Sequence, residues 1–217
     1  MVVKPDMLFG QRGLNNLVFF KNKTVGDVRL NDALEWIKQK SSKETTLKSG
    51  QRGKITHFIV EPFVTHKKSD EYYVGIVSED RSDIIYISLE GGVDIEENWN
   101  SKITTIDIPV LSKNSELNKI IEASMPKNIP FEKKEQFIKF IEQLYRFYRD
   151  MHFIYFEINP LVIYKNSIEI LDLVAKVDDL AYFLVGDKWG NIDFPTQFGQ
   201  KELTAVSYTH LTLPTKA

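Results

Sequence analysis

The amino-acid sequence predicts an α+β fold, in which antiparallel strands form a sheet and helices pack against one side of it. Runs rich in β-branched and aromatic residues, bounded by turn formers, recur over residues 55–64, 71–80 and 82–92, and they favour an antiparallel meander. Residues 131–151 carry apolar side chains at helical spacing, which predicts a long helix with one buried face. Strands and helices grouped in this way are typical of α+β proteins.

The remaining elements follow from capping residues, apolar periodicity and turn formers. In chain order they are a strand from residue 2, a short strand over 17–21, a helix over 31–40, a polar loop over 39–54, a helix over 115–123, and strands over 153–165 and 167–178 joined by a KNS turn. The first helix is expected to be capped by Asn31 or Asp32, with Leu34, Trp36 and Ile37 facing inward. The buried face of the long helix is expected to comprise Phe137, Ile138, Ile141, Leu144, Tyr145 and Tyr148.

Composition and charge limit the possible classes of function. The 217 residues are 42% hydrophobic and 27% charged, as in an ordinary folded protein with a sizeable core. The formal net charge of −2 offers no general attraction to nucleic acid or anionic lipid. The chain contains no cysteine, which excludes disulfides and thiolate metal sites. No apolar run approaches the roughly 20 residues of a membrane span. We therefore expect a soluble, cytoplasmic protein without nucleic-acid or membrane partners.

The opening stretch VVKPDMLFGQRG raises the possibility of a phosphate site. Lys4 lies in an apolar strand, and Arg12 and Gly13 follow in a glycine-containing loop. Lysine supplies a point charge, and glycine lets backbone N–H groups approach phosphate oxygens. The alternative is a surface lysine followed by an ordinary turn, because short patterns of this kind are common.

A second candidate site lies near the end of the chain. Glu157 and Asn159 are two residues apart and share one face of a strand, and Pro160 is expected to end regular pairing there. Asp172 interrupts an apolar strand, where a carboxylate needs a partner or a metal. Side by side across the hairpin, Asn159 and Asp172 would offer oxygen ligands to nucleotide-bound Mg²⁺. The alternative is an edge hairpin with a surface acid and a turn asparagine.

Seven ordered motifs resemble the ATP-grasp segment of the ATP-citrate lyase family. They are VVKPDMLFGQRG, FIVEPFV, EYYVGIV, EGGVDIEENW, EINPLV, LDLVAKVD and KWGNIDFPTQFG, and they span roughly residues 2–203. The wording is most similar to the separate subunit of the two-gene, plant-like form. The β subunit of succinyl-CoA synthetase is similar over EGGV and EINPLV, whereas VVKPD and KWGNIDFP favour the citrate enzyme.

The resemblance implies an ATP-grasp type of fold with mixed or antiparallel sheets, a truncated first lobe, and ATP and Mg²⁺ as ligands. The implied phosphate contacts are Lys4, Arg12 and Gly13. Glu61, Pro62 and Val64 would line the adenine, and Glu71 would hold the ribose. Asn159 and Asp172 would bind Mg²⁺. The family's usual lysine and glycine after the RG pair are replaced by Leu14, Asn15 and Asn16.

The resemblance also implies a larger enzyme. In such enzymes the phosphoryl group of ATP passes to a histidine on a partner subunit or CoA-ligase domain and then to citrate, and the resulting citryl phosphate reacts with CoA to give acetyl-CoA and oxaloacetate. His57, His66 and His152 are expected to be structural or surface residues, so the phosphorylated histidine and the citrate and CoA sites would belong to missing domains of a homo- or hetero-oligomer. The alternatives are a succinyl-CoA or malate-CoA ligase β subunit fragment and a nucleotide-binding module without turnover.

The resemblance divides the chain into two parts. Residues 1–205 would form the ATP-grasp domain, with Met1 as an internal methionine or a truncation point. Residues 206–217 resemble a translated sequencing adapter and are expected to be a non-native tail. The alternative for the tail is a genuine short strand, since YTHLTL alternates well.

Overall fold

A computed structural model describes residues 1–21, 28–92, 95, 99–164, 167–191 and 198–199. The chain divides into two compact units. The first comprises Met1–Phe63 together with the described residues 198 and 199, and the second comprises Val64–Ile192. The 206–217 tail and most of the KNS turn lie outside the described residues.

The first unit contains two small antiparallel strand pairs and one helix. Its elements are β1 (Val2–Pro5), helix α1 (Leu30–Ser41), β2 (Glu44–Thr46), β3 (Arg52–Lys54) and β4 (Phe58–Glu61). β1 pairs with β4, and β2 pairs with β3. The polar loop predicted over 39–54 is therefore wrong, because short polar strands form a hairpin there. The strand predicted over 17–21 is also wrong, since Phe19 makes only an isolated bridge with Val3.

Helix α1 confirms the predicted helix and two of the three residues expected on its inward face. Ala33 is fully buried against Val3 and Val28, and Trp36 and Ile37 pack against the same cluster. Leu34 is 54% exposed, so its predicted inward orientation is wrong. Asp32 lies in the first turn, where it accepts a hydrogen bond from the Arg29 backbone N–H at 3.1 Å.

The second unit is built on a larger antiparallel sheet. Its strands are β5 (Glu71–Ser78), β6 (Ser82–Ser88), β7 (Thr104–Pro109), β8 (Phe153–Ile163), β9 (Ile168–Ile170) and β10 (Leu173–Val177). The strand order is β10-β8-β5-β6-β7, and β9 also pairs with β8. Its helices are α2 (Trp99–Lys102), α3 (Asn114–Ser124), α4 (Phe131–Asp150) and α5 (Tyr182–Trp189).

The strand arrangement corrects the predicted meander. β5 and β6 form the expected hairpin. β6 also pairs with β7, a strand that the sequence did not indicate. The segment predicted as the first strand of the meander is β4. It belongs to the first unit, where it pairs with β1. Helix α5 was likewise not predicted.

The core of the second unit lies between one face of the sheet and helices α3 and α4. Alternate residues of β5 point into it, including Val74 and Ile76, both fully buried. The long helix contributes Phe137, Ile141, Leu144, Tyr145 and Tyr148 to the same cluster, and Ile138 packs partly buried against it. The predicted buried face of this helix is confirmed, as is the packing of α3 and α4 against one face of the sheet.

Strand β8 changes partner at its middle. Its first half pairs with β10 and its second half with β9. Regular pairing is therefore interrupted at Pro160, as expected, although the strand itself continues to Ile163. Asn159 and Pro160 form a bulge opposite the single residue Tyr73 of β5. The predicted strand over 167–178 is interrupted at Leu171 and Asp172, which lie opposite this bulge. None of the described helices is both long and apolar enough to cross a membrane.

Candidate nucleotide site

The expected site residues fall in both units. Lys4, Arg12, Gly13, Glu61 and Pro62 belong to the first unit, and Val64, Glu71, Asn159 and Asp172 belong to the second.

Lys4 and Glu61 form an ion pair across the β1–β4 ladder. The Lys4 Nζ lies 2.9 Å from Glu61 Oε2, and the side chains are 10% and 30% exposed. The ladder pairs Val2 with Glu61 and Lys4 with Ile59, which places the two charged residues diagonally on neighbouring strands. An ammonium carries three donors, and this contact uses one of them. The pair therefore fixes the lysine in a single, largely buried position.

Arg12 and Gly13 lie in a compact turn that follows β1. The Arg12 Nη2 donates to the Met7 carbonyl at 3.3 Å, and the guanidinium lies 6.0 Å from the centre of the Phe9 ring. The residue is only 8% exposed. Among the described residues, no heavy atom beyond the chain neighbours of Gly13 lies within 4 Å of the position that a Cβ there would occupy. Because Gly13 has no side chain, the backbone is open on this side of the turn, and a ligand could approach it there.

The segment leading into β5 ties Val64 and Glu71 together through His66. The His66 Nδ1 lies 2.9 Å from the Val64 carbonyl oxygen, and its Nε2 lies 3.0 Å from Glu71 Oε1. The His66 and Glu71 side chains are 18% and 17% exposed. Pro62 is exposed and Val64 is half-buried. His66 is therefore structural, as expected, but it contacts a proposed ribose ligand.

Asn159 and Asp172 are neighbours across the β8 bulge. The Asn159 backbone N–H donates to the Asp172 carbonyl at 3.0 Å. The Asn159 side chain is held by one residue, because its Oδ1 accepts from the Gly92 N–H at 2.6 Å and its Nδ2 donates to the Gly92 carbonyl at 3.3 Å. These two contacts define which side of the amide is oxygen. Glu157, on the same strand, accepts a hydrogen bond from the Tyr155 hydroxyl.

The chemistry of this pair fits a magnesium ion. A side-chain amide oxygen has two lone pairs, and the Gly92 N–H takes one of those on Asn159 Oδ1. Asp172, whose backbone carbonyl accepts from the Asn159 N–H, carries a carboxylate. Nucleotide-bound Mg²⁺ needs only one or two protein oxygens and takes the rest from phosphate and water. Among the described residues no group of three or more His, Cys, Asp or Glu could hold a metal on its own.

Sequence reasoning missed the roles of His66 and Gly92. The EGGV motif contains Gly92, but nothing local in the sequence showed that its backbone would grip a side chain of β8. His66 lies five residues before Glu71, a spacing that predicts no side-chain contact in a helix or in a strand. Only the course of the chain into β5 brings these groups together.

Comparison with known proteins identifies the family. The model of the ATP-citrate synthase ATP-grasp domain matches residues 1–189. The chain belongs to this family. ATP-citrate synthase alpha chain protein 1 of Arabidopsis thaliana is 38% identical over 210 residues, a match covering 97% of this chain and 47% of the relative. The ATP-citrate synthase of Homo sapiens is 36% identical over 208 residues, which cover 18% of its length.

A solved structure supports the same assignment to the ATP-citrate synthase family. The ATP citrate lyase of Methanothrix soehngenii, in complex with citrate and coenzyme A, superimposes with a TM-score of 0.77 at 34% identity, covering 92% of this chain and 44% of that chain. The predicted α+β, ATP-grasp type of fold is thereby confirmed. The chain spans about half of the Arabidopsis relative and of the Methanothrix structure, so it corresponds to one portion of a longer family member.

Proposed function

We propose that this chain is the Mg·ATP-binding portion of an ATP-citrate lyase. The complete enzyme would convert citrate, CoA and ATP to acetyl-CoA, oxaloacetate, ADP and phosphate. The observation that carries the proposal is the Asn159–Asp172 pair, joined by a 3.0 Å backbone hydrogen bond, in a chain of the ATP-citrate synthase ATP-grasp family. This pair has the donor chemistry that a nucleotide-bound magnesium ion requires.

The proposed nucleotide contacts are divided by chemistry. Lys4, Arg12 and Gly13 would bind the phosphates, because they combine two cations with an unobstructed stretch of backbone. Glu61, Pro62 and Val64 would line the adenine, and Glu71 would accept hydrogen bonds from the ribose hydroxyls. The buried positions of Lys4 and Arg12, at 8% exposure each, would strengthen their attraction to phosphate compared with solvated cations.

Asn159 and Asp172 would hold Mg²⁺, which when bound neutralises phosphate charge during phosphoryl transfer. The protein's own work is then mostly positioning. The Gly92 backbone holds the Asn159 amide, and a backbone hydrogen bond joins Asn159 to Asp172. Preorganised groups of this kind require little rearrangement when charge moves in the transition state.

The remaining steps are assigned to parts of the enzyme beyond this chain. A histidine of a partner subunit or CoA-ligase domain would accept the phosphoryl group and pass it to citrate, forming citryl phosphate for attack by CoA. The complex of the Methanothrix relative with citrate and coenzyme A supports this choice of substrates. The assembled enzyme would be a cytoplasmic homo- or hetero-oligomer. We assign residues 1–205 to the ATP-grasp portion and residues 206–217 to a non-native tail.

The proposal predicts magnesium-dependent ATP binding by this chain. Asp172→Ala should weaken Mg·ATP binding at least about tenfold, because one of two protein ligands is lost. The same variant should change ATP affinity little when magnesium is removed with a chelator. Lys4→Ala should lower the affinity for ATP at least about tenfold, both with and without magnesium. Titration calorimetry measures each affinity.

Two exposed residues provide matched controls. Lys54→Ala removes a lysine from β3, and Asp179→Ala removes an aspartate beyond β10; both lie at exposed positions. Neither variant should alter the affinity for Mg·ATP. A folded chain with a cooperative melt and no ATP binding would refute the proposed function. Binding that Asp172→Ala weakens equally with and without magnesium would refute the metal assignment alone.

A further inference from the structure

The Glu71 carboxylate has a neighbour on each side: His66, to which the proposed function gives no role, and the backbone of Gly92. On one side the His66 Nε2 lies 3.0 Å from Oε1. On the other side the Gly92 backbone passes so closely that a Cβ there would lie 2.7 Å from Oε2. Because both neighbours approach the carboxylate group itself, they restrict its rotation as well as its position.

His66 is itself oriented by the main chain. Its Nδ1 lies 2.9 Å from the carbonyl oxygen of Val64, which can only accept a hydrogen bond. The ring thus bridges a backbone carbonyl and a carboxylate. Val64 is half-buried, and His66 is 18% exposed at its side chain, so the bridge is sheltered from competing water on most sides.

Gly92 connects the same carboxylate to the proposed metal ligands. Its φ of +73° lies in the left-handed region that favours glycine. In this conformation its N–H and carbonyl both face the Asn159 amide. Since Glu71 Oε2 occupies the space of the missing side chain, one backbone position contacts both the proposed ribose ligand and a proposed Mg²⁺ ligand. His66 therefore acts on a carboxylate that can shift little in any other direction.

We infer that His66 is a positioning residue for the nucleotide ribose: by holding Glu71 Oε1, it aims the carboxylate at the ribose hydroxyl groups. This inference rests on the proposed function, because it concerns the ligand of the same site. A carboxylate has about four acceptor positions, and the histidine contact occupies one of them. The remaining positions are then presented in a fixed direction. Loss of the imidazole would leave Glu71 free to rotate toward solvent.

The test compares ATP with 2′,3′-dideoxy-ATP, which lacks both ribose hydroxyls. His66→Ala should weaken ATP binding about tenfold, as expected for a charge-assisted hydrogen bond lost at the ribose. It should leave the affinity for the dideoxy nucleotide within about twofold. His66→Gln should restore most of the preference for ATP, because its amide N–H can donate to Glu71. A general loss of fold would lower the affinities for both nucleotides alike. The ratio of the two affinities therefore separates a positioning effect from a loss of stability.

Two further variants make the outcomes distinguishable. Glu71→Ala should abolish the preference for ATP over the dideoxy nucleotide, and His57→Ala, at an exposed histidine of the other unit, should preserve it. A preference lost in Glu71→Ala but retained in His66→Ala would overturn this inference and leave the proposed function intact. Equal weakening of both nucleotides by His66→Ala would also overturn it. Failure of the unsubstituted chain to bind ATP would refute the proposed function and this inference together.

Discussion

Asp83 is a buried carboxylate whose hydrogen bonds come from three residues on two elements of the second unit. It is 2% exposed, and its Oδ1 accepts from Ser78 Oγ at 2.7 Å. Its Oδ2 accepts from the Tyr145 hydroxyl and from Arg149 Nη1, each at 2.9 Å. The hydrogen bond to Asp83 raises the pKa of Arg149. Such a buried charge is tolerated only because it is paired and fully hydrogen-bonded.

Removing the cationic partner of Asp83 should be costly. Arg149→Ala would leave the carboxylate buried with hydroxyl donors only. Breaking a buried ion pair typically costs about 3–5 kcal/mol. We expect the lower end of this range, because the Arg149 side chain is 42% exposed and solvent screens part of the interaction. The midpoint of urea unfolding measures the change.

Arg146 offers a matched control on the same helix. Its side chain is also 42% exposed, and it pairs with Glu142 one turn earlier at 2.8 Å. An exposed pair of this spacing contributes about 0.3–0.5 kcal/mol, so Arg146→Ala should shift the urea midpoint only slightly. Equal shifts for the two arginine variants would contradict the role assigned to the buried carboxylate.

At the scale of elements, the β2–β3 hairpin shows how a segment of polar sequence can be ordered by close backbone contact. Gly53 lies at its centre, paired with Thr45. A Cβ at this position would lie 2.8 Å from the backbone nitrogen of Gly199 and 3.3 Å from the Phe198 ring. The ring of Phe198 also packs 4.8 Å from that of Phe9. The hairpin therefore passes against the main chain of residues 198–199 with no room for a side chain.

Gly53→Ala should accordingly destabilise the first unit. Backbone atoms at Gly199 cannot move aside as a flexible side chain can, and overpacking of this kind costs about 1–3 kcal/mol. Gly10→Ala is the control, because in the part of the chain that the structure describes no heavy atom beyond its chain neighbours lies within 4 Å of the added Cβ. Thermal melting should show a lower midpoint for the Gly53 variant alone. Indistinguishable melting curves would show that the hairpin does not approach Gly199 in solution.

On the scale of the whole molecule, tyrosines of the second unit make stability sensitive to alkaline pH. Burial raises the pKa of Tyr148 from 10.0 to about 12. Burial, followed by a hydrogen bond to a carboxylate, also raises the pKa values of Tyr145 and Tyr155. The folded state therefore retains protons that the unfolded state releases, so stability is unaffected below about pH 10 and falls as pH rises through these values.

The expected result is a steady decrease in the unfolding midpoint between about pH 10 and pH 12. Urea unfolding at successive pH values measures it, and ultraviolet spectra of tyrosinate report the ionisation itself. Tyr148→Phe should make the decrease shallower, because one of the titrating groups is absent. A midpoint that stays constant over this range in the unsubstituted chain would contradict the burial of these hydroxyls.

Local patterns in the sequence were sufficient for the long helix and for the hairpin of β5 and β6. The apolar positions of α4 recur at the helical period, so Phe137 and Ile141 could be assigned to the core before any partner was known. The β2–β3 hairpin and the partner of β4 could not be assigned in this way. The strands of these pairs are only three or four residues long, which is too short to show a periodic pattern. The pairing of β4 with β1 also joins segments that are distant in the sequence.

The proposed nucleotide residues divide in the same manner. Lys4, Glu61, Glu71, Asn159 and Asp172 were proposed from residue type, local motif and family resemblance, all of which are properties of the sequence alone. The contacts that orient these residues could not be predicted from the sequence. The Lys4–Glu61 ion pair, the His66–Glu71 contact and the Gly92–Asn159 hydrogen bonds depend on the course of the backbone. The chemistry available to this protein is thus written in its residue types. The direction in which each group points comes from packing and hydrogen bonds that form only when the strands and their connecting segments come together.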